Sequence, residues 1–388
     1  MHNQRPQPQY TIRTNPHRGM FTITITGFLV ATILLFWLPR TLKAQVIKNQ
    51  ITTNHVLYDV AWSPDGELIA AGARDGIGIY RSDTLEEIAF LQGNEAVSVS
   101  WRPDSNQLAG VSGFGEGQGT ILIWSRNPND NFTLQQSLPN GHYQVAVVSW
   151  SPDGSQLATI GREYPEGFLG SMDVVELWDT KTWVKTTVSS DRYFNLTYDL
   201  DWSPDSQWVA ISGKIDCEGQ PACDSYSSIG YFILNAKTAK QVRQLESREF
   251  PSSHSWAQDG RLAVDNPEIA VFDSLNGQLI STLDGTGAYR MEWSPNGMWL
   301  ATSQVRNGEI RLKNVPVGGK TVVFQSADKF YAFAWKPDGS QLVTVSESGV
   351  MQVWDMSDLP DLSGTPTITP YSTFTLTQEP TPTTTNKK

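Results

Sequence analysis

The chain is poor in the residues that usually carry metal or catalytic chemistry. Its 388 residues include two cysteines and five histidines, and no histidine pair has a metal-binding spacing such as His-Glu-x-x-His. A Gly-x-Ser-x-Gly motif is absent, so a hydrolase of that type is unsupported. In Ser252-Ser253-His254-Ser255 a nucleophile neighbours a base, but adjacent residues of an extended chain point to opposite faces. We expect a protein that is not an enzyme and needs no cofactor or metal.

Basic residues are also scarce. The net charge is −11, and the first 44 residues hold five bases and no acid, so the remainder holds 24 bases against 40 acids, a net charge of −16. Binding to a phosphate backbone depends on clustered lysine and arginine. We therefore expect no nucleic-acid partner. Asp199, Asp201 and Asp205 alternate through one strand and its turn, and we expect solvated or turn-capping roles for them rather than a calcium site.

The two cysteines, Cys217 and Cys223, lie in a single acidic loop. Two thiolates alone make a poor zinc site, because structural zinc usually takes four ligands. In an oxidising compartment a local disulfide between them is the simple interpretation, and free thiols are the alternative.

One long uncharged segment stands out at the N-terminus, residues 20–39. Its length is enough to cross a bilayer as a helix. Leu42-Lys43-Ala44 before Gln45 also fits a signal-peptide cleavage site. The flanking basic residues are balanced, so they do not decide the orientation. We favour an uncleaved membrane anchor with the rest of the chain outside the cytoplasm, and a cleaved signal that releases a secreted protein is the alternative.

A tryptophan followed by a tight turn recurs seven times, with spacings of 39, 49, 52, 54, 37 and 42 residues. Periods of this size indicate a repeat architecture. Proline at the first central position and glycine after the aspartate favour a hairpin turn. The copies start at Trp62, Trp101, Trp150, Trp202, Trp256, Trp293 and Trp335, and the first reads Trp62-Ser63-Pro64-Asp65-Gly66.

Short β-branched and aromatic runs flank every turn, and each unit has room for four strands. Seven four-stranded units predict an all-β fold, a seven-bladed β-propeller, in which radial packing covers the faces of each sheet. We expect the tryptophans to pack between blades, where a large ring buries the most apolar surface.

At this point the chain resembles the WD40-repeat family. The Trp-Asp pairs Trp178-Asp179 and Trp354-Asp355, with Gly141-His142 before the third unit, carry the resemblance, which covers residues 46–358. It implies a scaffold that binds a protein or peptide partner. The family's buried His–Ser/Thr–Asp–Trp network needs a Gly-His in each unit, and one unit has it, so we expect mainly apolar packing between blades. The turns also look like those of TolB-like envelope propellers, which is an alternative.

The expected organisation has five parts: a polar segment (1–19), the anchor or signal (20–39), a linker (40–45), the propeller (46–358) and a disordered Thr/Pro-rich tail (359–388). The seventh unit lacks a fourth strand. We expect residues 46–53 to supply it and so close the ring, with residues 371–377 as the competitor.

Long connections between the second and third strands occur in units two, three and four, at residues 112–120, 161–173 and 213–228. Equivalent connections emerge on one face of a propeller, so we expect a wall there that binds a partner; neutral surface insertions are the alternative. The proposed partner-binding residues are aromatic or charged: Phe114, Glu116, Arg162, Glu163, Tyr164, Glu166, Phe168 and Asp173.

The sequence therefore predicts a non-catalytic interaction scaffold presented outside the cytoplasm, with a membrane contact through residues 20–39 if they are retained. The alternatives are a TolB-like envelope accessory protein, and a propeller that binds a small ligand or has an unrecognised enzyme activity.

Overall fold

A computed structural model describes residues 46–359, apart from 94, 113–118, 140–143, 164–171, 188–192, 217–227, 248–250, 267, 275, 285–287, 305–307, 316–320 and 327. These residues form 28 β-strands. The expected membrane segment (20–39), Cys217, Cys223 and the expected tail from residue 360 onward lie outside the described residues. Within the part of the chain that is described, no helix has the length and apolar character needed to span a membrane.

The strands group into seven antiparallel blades that follow the chain, each numbered from its inner strand outward. Strand β1 (Ile47–Thr52) precedes the first blade. Blade 1 holds β2 (Leu57–Trp62), β3 (Leu68–Ala73), β4 (Gly76–Arg81) and β5 (Glu87–Gln92). Blade 2 holds β6 (Val99–Trp101), β7 (Gln107–Ser112), β8 (Thr120–Arg126) and β9 (Phe132–Pro139). Blade 3 holds β10 (Gln144–Trp150), β11 (Gln156–Glu163), β12 (Met172–Asp179) and β13 (Lys185–Thr187).

The remaining blades repeat the order. Blade 4 holds β14 (Tyr193–Trp202), β15 (Trp208–Asp216), β16 (Ser228–Asn235) and β17 (Gln241–Glu246). Blade 5 holds β18 (His254–Trp256), β19 (Arg261–Asn266), β20 (Glu268–Asp273) and β21 (Leu279–Leu283). Blade 6 holds β22 (Arg290–Trp293), β23 (Trp299–Gln304), β24 (Glu309–Asn314) and β25 (Thr321–Gln325). Blade 7 holds β26 (Phe330–Trp335), β27 (Gln341–Ser346) and β28 (Val350–Asp355). The predicted seven-bladed propeller is confirmed.

The N-terminal strand closes the ring. Strand β1 pairs antiparallel with β28, with Ile51 opposite Met351 and Thr52 opposite Val350. The Thr53 amide also donates to the Gly349 carbonyl at 2.9 Å. The predicted N-terminal closure is confirmed, and the edge of β28 that residues 371–377 would have needed is already occupied.

Apolar packing holds neighbouring blades together. The described residues form seven clusters of buried side chains, and each joins residues of two adjacent blades. Every repeat tryptophan belongs to the cluster that joins its blade to the preceding one; Trp62, for example, packs with Val343 and Val353 of blade 7. The predicted packing of the tryptophans between blades is confirmed.

The Ser-Pro-Asp-Gly turn is fixed by its own side chains. In the first copy the Gly66 amide donates to the Ser63 carbonyl at 2.7 Å, and the Ser63 hydroxyl bonds Asp65 while accepting the Leu68 amide. Gly66 has a φ of 73°, the left-handed conformation that glycine adopts at no steric cost. The turn therefore ends the inner strand and starts the next one in register.

Blades 3 and 4 extend further than their neighbours at one end. Strands β11 and β12 have eight residues each and β14 has ten, whereas β3 and β4 of blade 1 have six. The extension lets β12 pair with β14 at Asp173 and Phe194, which joins the two blades in one eight-stranded sheet. The long connections of these blades start from this extension.

The tryptophans of the two Trp-Asp pairs each form one side-chain hydrogen bond with a threonine of the adjacent strand. The Trp178 indole donates to the Thr159 hydroxyl at 3.3 Å, and the Trp354 indole donates to Thr344 at 3.1 Å. His142 lies outside the described residues. The indole–threonine bonds belong to the blades with the Trp-Asp dipeptides.

Candidate functional site

The inner strands place two sets of side chains beside the central channel, one and three positions before each repeat tryptophan. Side chains alternate along a strand, so these positions lie on the face opposite the tryptophan. The positions one before the tryptophan are Ala61, Ser100, Ser149, Asp201, Ser255, Glu292 and Ala334. The positions three before it are Asp59, Ser98, Val147, Asp199, Ser253, Arg290 and Ala332.

Polar members of these sets bond the inner strand of the next blade. The Asp59 carboxylate accepts the Val99 amide at 2.9 Å, and the Asp201 carboxylate accepts the Trp256 amide at 2.7 Å. Ser98 accepts from Val148 in the same manner, at 3.2 Å. Inner strands of neighbouring blades do not form a ladder, so these side chains satisfy amides that would otherwise be buried without a partner.

Asp199 makes the densest contact of this kind. One of its oxygens accepts the Ser253 hydroxyl at 3.0 Å and the His254 amide at 3.1 Å. The Ser253 hydroxyl in turn accepts the Met291 amide at 3.0 Å. Asp199 and Asp201 thus join blade 4 to blade 5, and the solvated or turn-capping role expected for them is wrong. Asp205 does cap its turn, since it accepts the Ser203 hydroxyl and the Gln207 amide.

A cavity of about 460 Å³ opens between the inner strands of blades 4 to 7. It lies in the half of the channel where the inner strands end, because residues of two turns, Pro295 and Pro337, help to line it. We call the end of the propeller that carries these turns the turn face, and the opposite end, where the inner strands begin, the loop face. The polar lining residues, leaving the tryptophans aside, are Asp199, Asp201, His254, Ser255, Gln258, Arg290 and Glu292.

Arg290 is the one arginine or lysine among the cavity residues, and its side chain reaches across the channel. Its guanidinium lies 2.8 Å from Asp59 of blade 1, although blade 7 stands between the two blades. Ala332 and Ala334 occupy the corresponding positions of blade 7 and leave the space free. Burial opposes the charge of Arg290, but the carboxylates of Asp59, Asp199 and Glu292 outweigh it and raise its pKa.

Two carboxyl groups of the cavity have strongly shifted pKa values. Burial raises the pKa of Glu292 to about 8, although Arg290 and the Trp335 amide favour the ionised form. Burial raises the pKa of Asp201 to about 6, against the stabilising Trp256 amide. At neutral pH Glu292 is therefore mostly protonated, and Asp201 is mostly ionised. Strongly shifted carboxyl groups in a cleft are a common mark of a functional site.

His254 adds a buried nitrogen to this cluster. Its Nε2 lies 2.9 Å from the Ala210 carbonyl, which can only accept, so Nε2 carries a proton. Nδ1 is buried, has no hydrogen-bond partner among the described residues and lies 3.8 Å from the Asp199 carboxylate. The ring is fully enclosed, packed edge-on against Tyr231.

The loop face carries tyrosines at the mouth of the channel. Tyr58 and Tyr331 occupy the same position in blades 1 and 7, four residues before the tryptophan, and their rings lie 6.0 Å apart. Both sit at β-bulges, where the ladder skips one residue. Bulges re-aim a side chain, which is why they are common beside binding sites. Tyr289 of blade 6 holds the same position and is 52% exposed.

Acids surround these tyrosines. Burial, followed by a hydrogen bond to Glu95, raises the pKa of Tyr58. Burial and Glu347 raise the pKa of Tyr331, with a smaller contribution from Tyr289. Burial is thus the leading cause for both phenols, and each hydrogen-bonds an acid of the mouth. An aromatic surface with polar tips is typical of protein interfaces.

The proposed wall residues fall at the ends of the extended strands. Arg162 and Asp173 face each other across β11 and β12, and Nε of Arg162 lies 2.9 Å from the Asp173 carboxylate. Asp173 is buried, so this pair supports the base of the connection rather than its surface. Glu163 is the last residue of β11, opposite Met172. The other proposed wall residues lie outside the described residues: Phe114, Glu116, Tyr164, Glu166 and Phe168.

The channel carboxylates and the mouth tyrosines were not predicted as sites from the sequence. A signal for both was available in the register of the repeat. When the units are aligned on their tryptophans, acids or serines recur one and three positions earlier, and tyrosines recur four positions earlier. Among the described residues no group of three or more His, Cys, Asp or Glu side chains is arranged to hold a metal ion.

Comparisons with known proteins agree with this architecture. A family model described as WD domain, G-beta repeat, matches residues 320–355, and one described as eukaryotic translation initiation factor eIF2A matches residues 22–164. WD repeat-containing protein 1 of Xenopus tropicalis is 23% identical over 376 residues, covering 77% of this chain and 61% of the relative.

Two further relatives match shorter parts of the chain. WD repeat-containing protein WDS homolog of Arabidopsis thaliana is 22% identical over 196 residues, 48% of this chain and 35% of that protein. Probable cytosolic iron-sulfur protein assembly protein 1 of Kluyveromyces lactis is 32% identical over 120 residues, 27% of this chain and 35% of that protein. The chain thus spans less than two thirds of the length of each of these three relatives.

The fold defines a seven-bladed β-propeller closed by its own N-terminal strand, with side-chain clusters at both mouths of the channel. The repeat match over residues 320–355 and the WD-repeat relatives show that the chain is similar to WD40-repeat β-propellers. The TolB-like alternative stays an expectation of the sequence.

Proposed function

We propose that this chain is an interaction scaffold that binds a protein partner on its loop face. The observation that carries the proposal is the contrast between the two ends of the propeller. At the loop face the strands of blades 3 and 4 are lengthened, and the bulged tyrosines Tyr58 and Tyr331 stand at the channel mouth. The turn face carries short repeated turns. A partner that lies across the loop face would contact both the long connections and the tyrosines.

We further propose that the propeller is presented outside the cytoplasm by residues 20–39, retained as an anchor. Support comes from the uncharged length of this segment and the lack of acids in the first 44 residues. The iron–sulfur assembly relative has cytosolic in its name, but it matches 27% of this chain. Sequencing the N-terminus of the mature protein tests the anchor, and a start at Gln45 would show cleavage.

Photo-crosslinking in native membranes tests the binding surface. A photoreactive amino acid replaces Tyr289 on the loop face, and in a matched variant it replaces the exposed Lys181, in the turn between β12 and β13 at the turn face. We expect a discrete protein adduct from position 289 and none from position 181. Replacing residues 164–171 by a Gly-Ser linker of equal length should abolish the adduct.

Two outcomes would contradict the proposed surface. An adduct that forms equally from both positions would indicate contact without a preferred face. If the adduct from position 289 still forms after the linker replacement, residues 164–171 do not contribute to the interface. Circular dichroism and thermal unfolding of each variant confirm that the propeller is intact.

A further inference from the structure

The cavity between the inner strands of blades 4 to 7 lies toward the turn face of the channel. Its volume of about 460 Å³ lies in the range of small-molecule sites, about 300–1,000 Å³. Pro295 and Pro337, in the turns that follow two inner strands, and Trp335 give it apolar lining on the turn side, and the charged lining residues come from the inner strands. A ligand would thus enter with an apolar stem on the turn side and a polar head among the charged residues.

The charges of the cavity favour a cationic head. Arg290 forms its ion pair with Asp59 and interacts with Asp199 at longer range, and neither Asp199 nor Asp201 forms an ion pair with a lysine or arginine among the described residues. Both carboxylates are held in place by amides of β14 and β18, so they do not need to rearrange on binding. Each has lone pairs beyond those used by these amides, since a carboxylate accepts about four hydrogen bonds.

A second observation points to a ligand independently of the acids. Nδ1 of His254 is a buried acceptor with no partner among the described residues, and His254 belongs to the lining of the cavity. A buried polar atom without a partner costs free energy, and a ligand that donates a hydrogen bond to it would offset that cost. A donor placed beside Asp199 would also lie near this nitrogen, because the two side chains approach to 3.8 Å.

We infer that this cavity binds one organic cation, a primary ammonium or guanidinium group on an aliphatic stem, between Asp199, Asp201 and Glu292. The stem lies along Trp335 and the two prolines. The group has two possible sources, a free amine or a lysine or arginine side chain of a protein segment that enters from the turn face.

Glu292 couples this binding to protons. It is mostly protonated at neutral pH, and a cation beside it favours its ionised form, so binding at pH 7 releases a proton and the affinity rises toward pH 8. The groups that face Glu292 are Arg290 on its own strand, Asp199 and Asp201 on β14, Asp59 on β2 and His254 on β18.

Calorimetry with two probes tests the site on the full chain. The free amine is agmatine, which has a guanidinium and an ammonium group, and the side-chain probe is the amidated peptide Gly-Gly-Arg-Gly-Gly. We expect one molecule of agmatine to bind per chain. We also expect proton release at pH 7, which makes the measured binding enthalpy depend on the ionisation enthalpy of the buffer. Peptide binding of equal strength would assign the source to a protein segment, and agmatine binding alone would assign it to a free amine.

Isosteric variants separate the site from adventitious binding. Asp201→Asn keeps an oxygen for the Trp256 amide but removes the charge, and we expect about tenfold weaker binding or more. Glu292→Gln keeps an acceptor for the Trp335 amide and should abolish the proton release. The matched control is Asp205→Asn in the exposed turn of the same blade, with unchanged affinity expected.

Two results would overturn the inference. One is the absence of saturable binding of either probe to the folded protein up to about 10 mM, a concentration that detects even millimolar sites. The other is equal affinity in the wild type and Asp201→Asn. Neither result touches the loop-face proposal, because the crosslinking at position 289 is read out independently of amine binding.

Discussion

The indole nitrogen of Trp62 donates a hydrogen bond to the carbonyl of Ala334 at 3.1 Å, across 272 positions of sequence. This bond joins blade 1 to blade 7, and the same bond joins four other pairs of neighbouring blades. In each case the tryptophan donates to the residue that precedes the tryptophan of the blade before it. The other donors are Trp101, Trp202, Trp293 and Trp335, which bond Ala61, Ser149, Ser255 and Glu292. The repeat tryptophan thus supplies both packing and a directed bond at the blade interface.

Replacing Trp62 by Phe removes this bond and part of the ring. Trp150 offers a matched control, because its indole nitrogen is buried and has no acceptor among the described residues. Each ring also lies 5.7 Å below a cationic side chain, Lys336 for Trp62 and Arg102 for Trp150. We expect Trp62→Phe to lower the free energy of unfolding by about 1–2 kcal/mol more than Trp150→Phe, the value of one buried hydrogen bond.

Urea unfolding followed by circular dichroism measures both variants. Equal losses would mean that the tryptophans act through ring volume alone. A larger loss for Trp150→Phe would contradict the role given to the indole bond.

Closure by β1 predicts an asymmetric response to truncation at the two ends. Removing residues 46–53 exposes the edge of β28 and leaves its backbone groups without the partners that β1 supplies. We expect a large drop in the unfolding temperature or loss of the folded monomer. Removing residues 371–377 should leave the unfolding temperature unchanged within about 2 °C, because a ΔΔG near zero moves it little. Calorimetry of both deletions distinguishes the two ends.

Glu292 makes the stability depend on pH. Its pKa rises from 4.5 in the unfolded chain to about 8 in the folded one, so the folded state binds the extra proton between these values. The free energy of unfolding therefore falls as the pH rises from about 4.5 to about 8, and this contribution is level above that range. Glu292→Gln lacks the decline. We expect the variant to be more stable than the wild type at pH 9 by about 1 kcal/mol or more, and to lose this advantage at pH 5.

Denaturant unfolding at a series of pH values measures this difference. Asp338→Asn is a control in an exposed turn. Its carboxyl pKa is lowered in the folded state, although burial opposes this, because Ser340 and Lys336 favour the ionised form. Its contribution to stability therefore changes only in the acid range below the ordinary pKa of 3.8, and Asp338→Asn should leave the shape of the profile from pH 5 to pH 9 unchanged. A difference between Glu292→Gln and the wild type that stays constant from pH 5 to pH 9 would contradict the assignment.

The turns and the tryptophans fixed the blade count from the sequence because both signals are local and repeat in every unit. The turn pattern nevertheless did not explain two of the turns. Ser105 and Ser206 stand where the pattern has glycine, and they adopt the left-handed φ values of 60° and 58°. Their hydroxyl groups accept the amides of Asp65 and Asp153 in the preceding blade. This hydrogen bond to the neighbouring blade offsets the backbone strain. A turn preference derived from one repeat unit cannot predict it, because the partner lies in another unit.

The channel site could not be derived in the same way. Asp199 and Asp201 look solvated in the sequence because alternation with apolar residues is typical of a half-exposed strand. In a propeller the opposite face of the inner strand meets the next blade, so these side chains become half-buried acceptors for its amides. The shift of Glu292 depends on groups of three other strands, which come together when the ring closes.

The last prediction concerns the base of the wall. Arg162 and Asp173 pair across β11 and β12, the carboxylate is buried, and the guanidinium side chain is 31% exposed. Asp173 also lies where β12 meets β14, so the pair holds the joint between blades 3 and 4. Removing one partner of a half-buried pair leaves an uncompensated charge, so Asp173→Ala should cost about 1–3 kcal/mol locally.

Amide hydrogen exchange measures this local loss. We expect faster exchange in residues 159–163 and 172–175 of Asp173→Ala, with no change in β2 and β3 of blade 1. Asp179→Ala is the control, because Asp179 caps the exposed turn at the other end of β12 through Lys181 and Thr182. Faster exchange confined to that turn in the control, and to the wall base in Asp173→Ala, would support the proposed division of roles. Unchanged exchange at residues 159–163 would mean that the pair does not stabilise the extension, and the wall would then depend on the strand pairing between β12 and β14 alone.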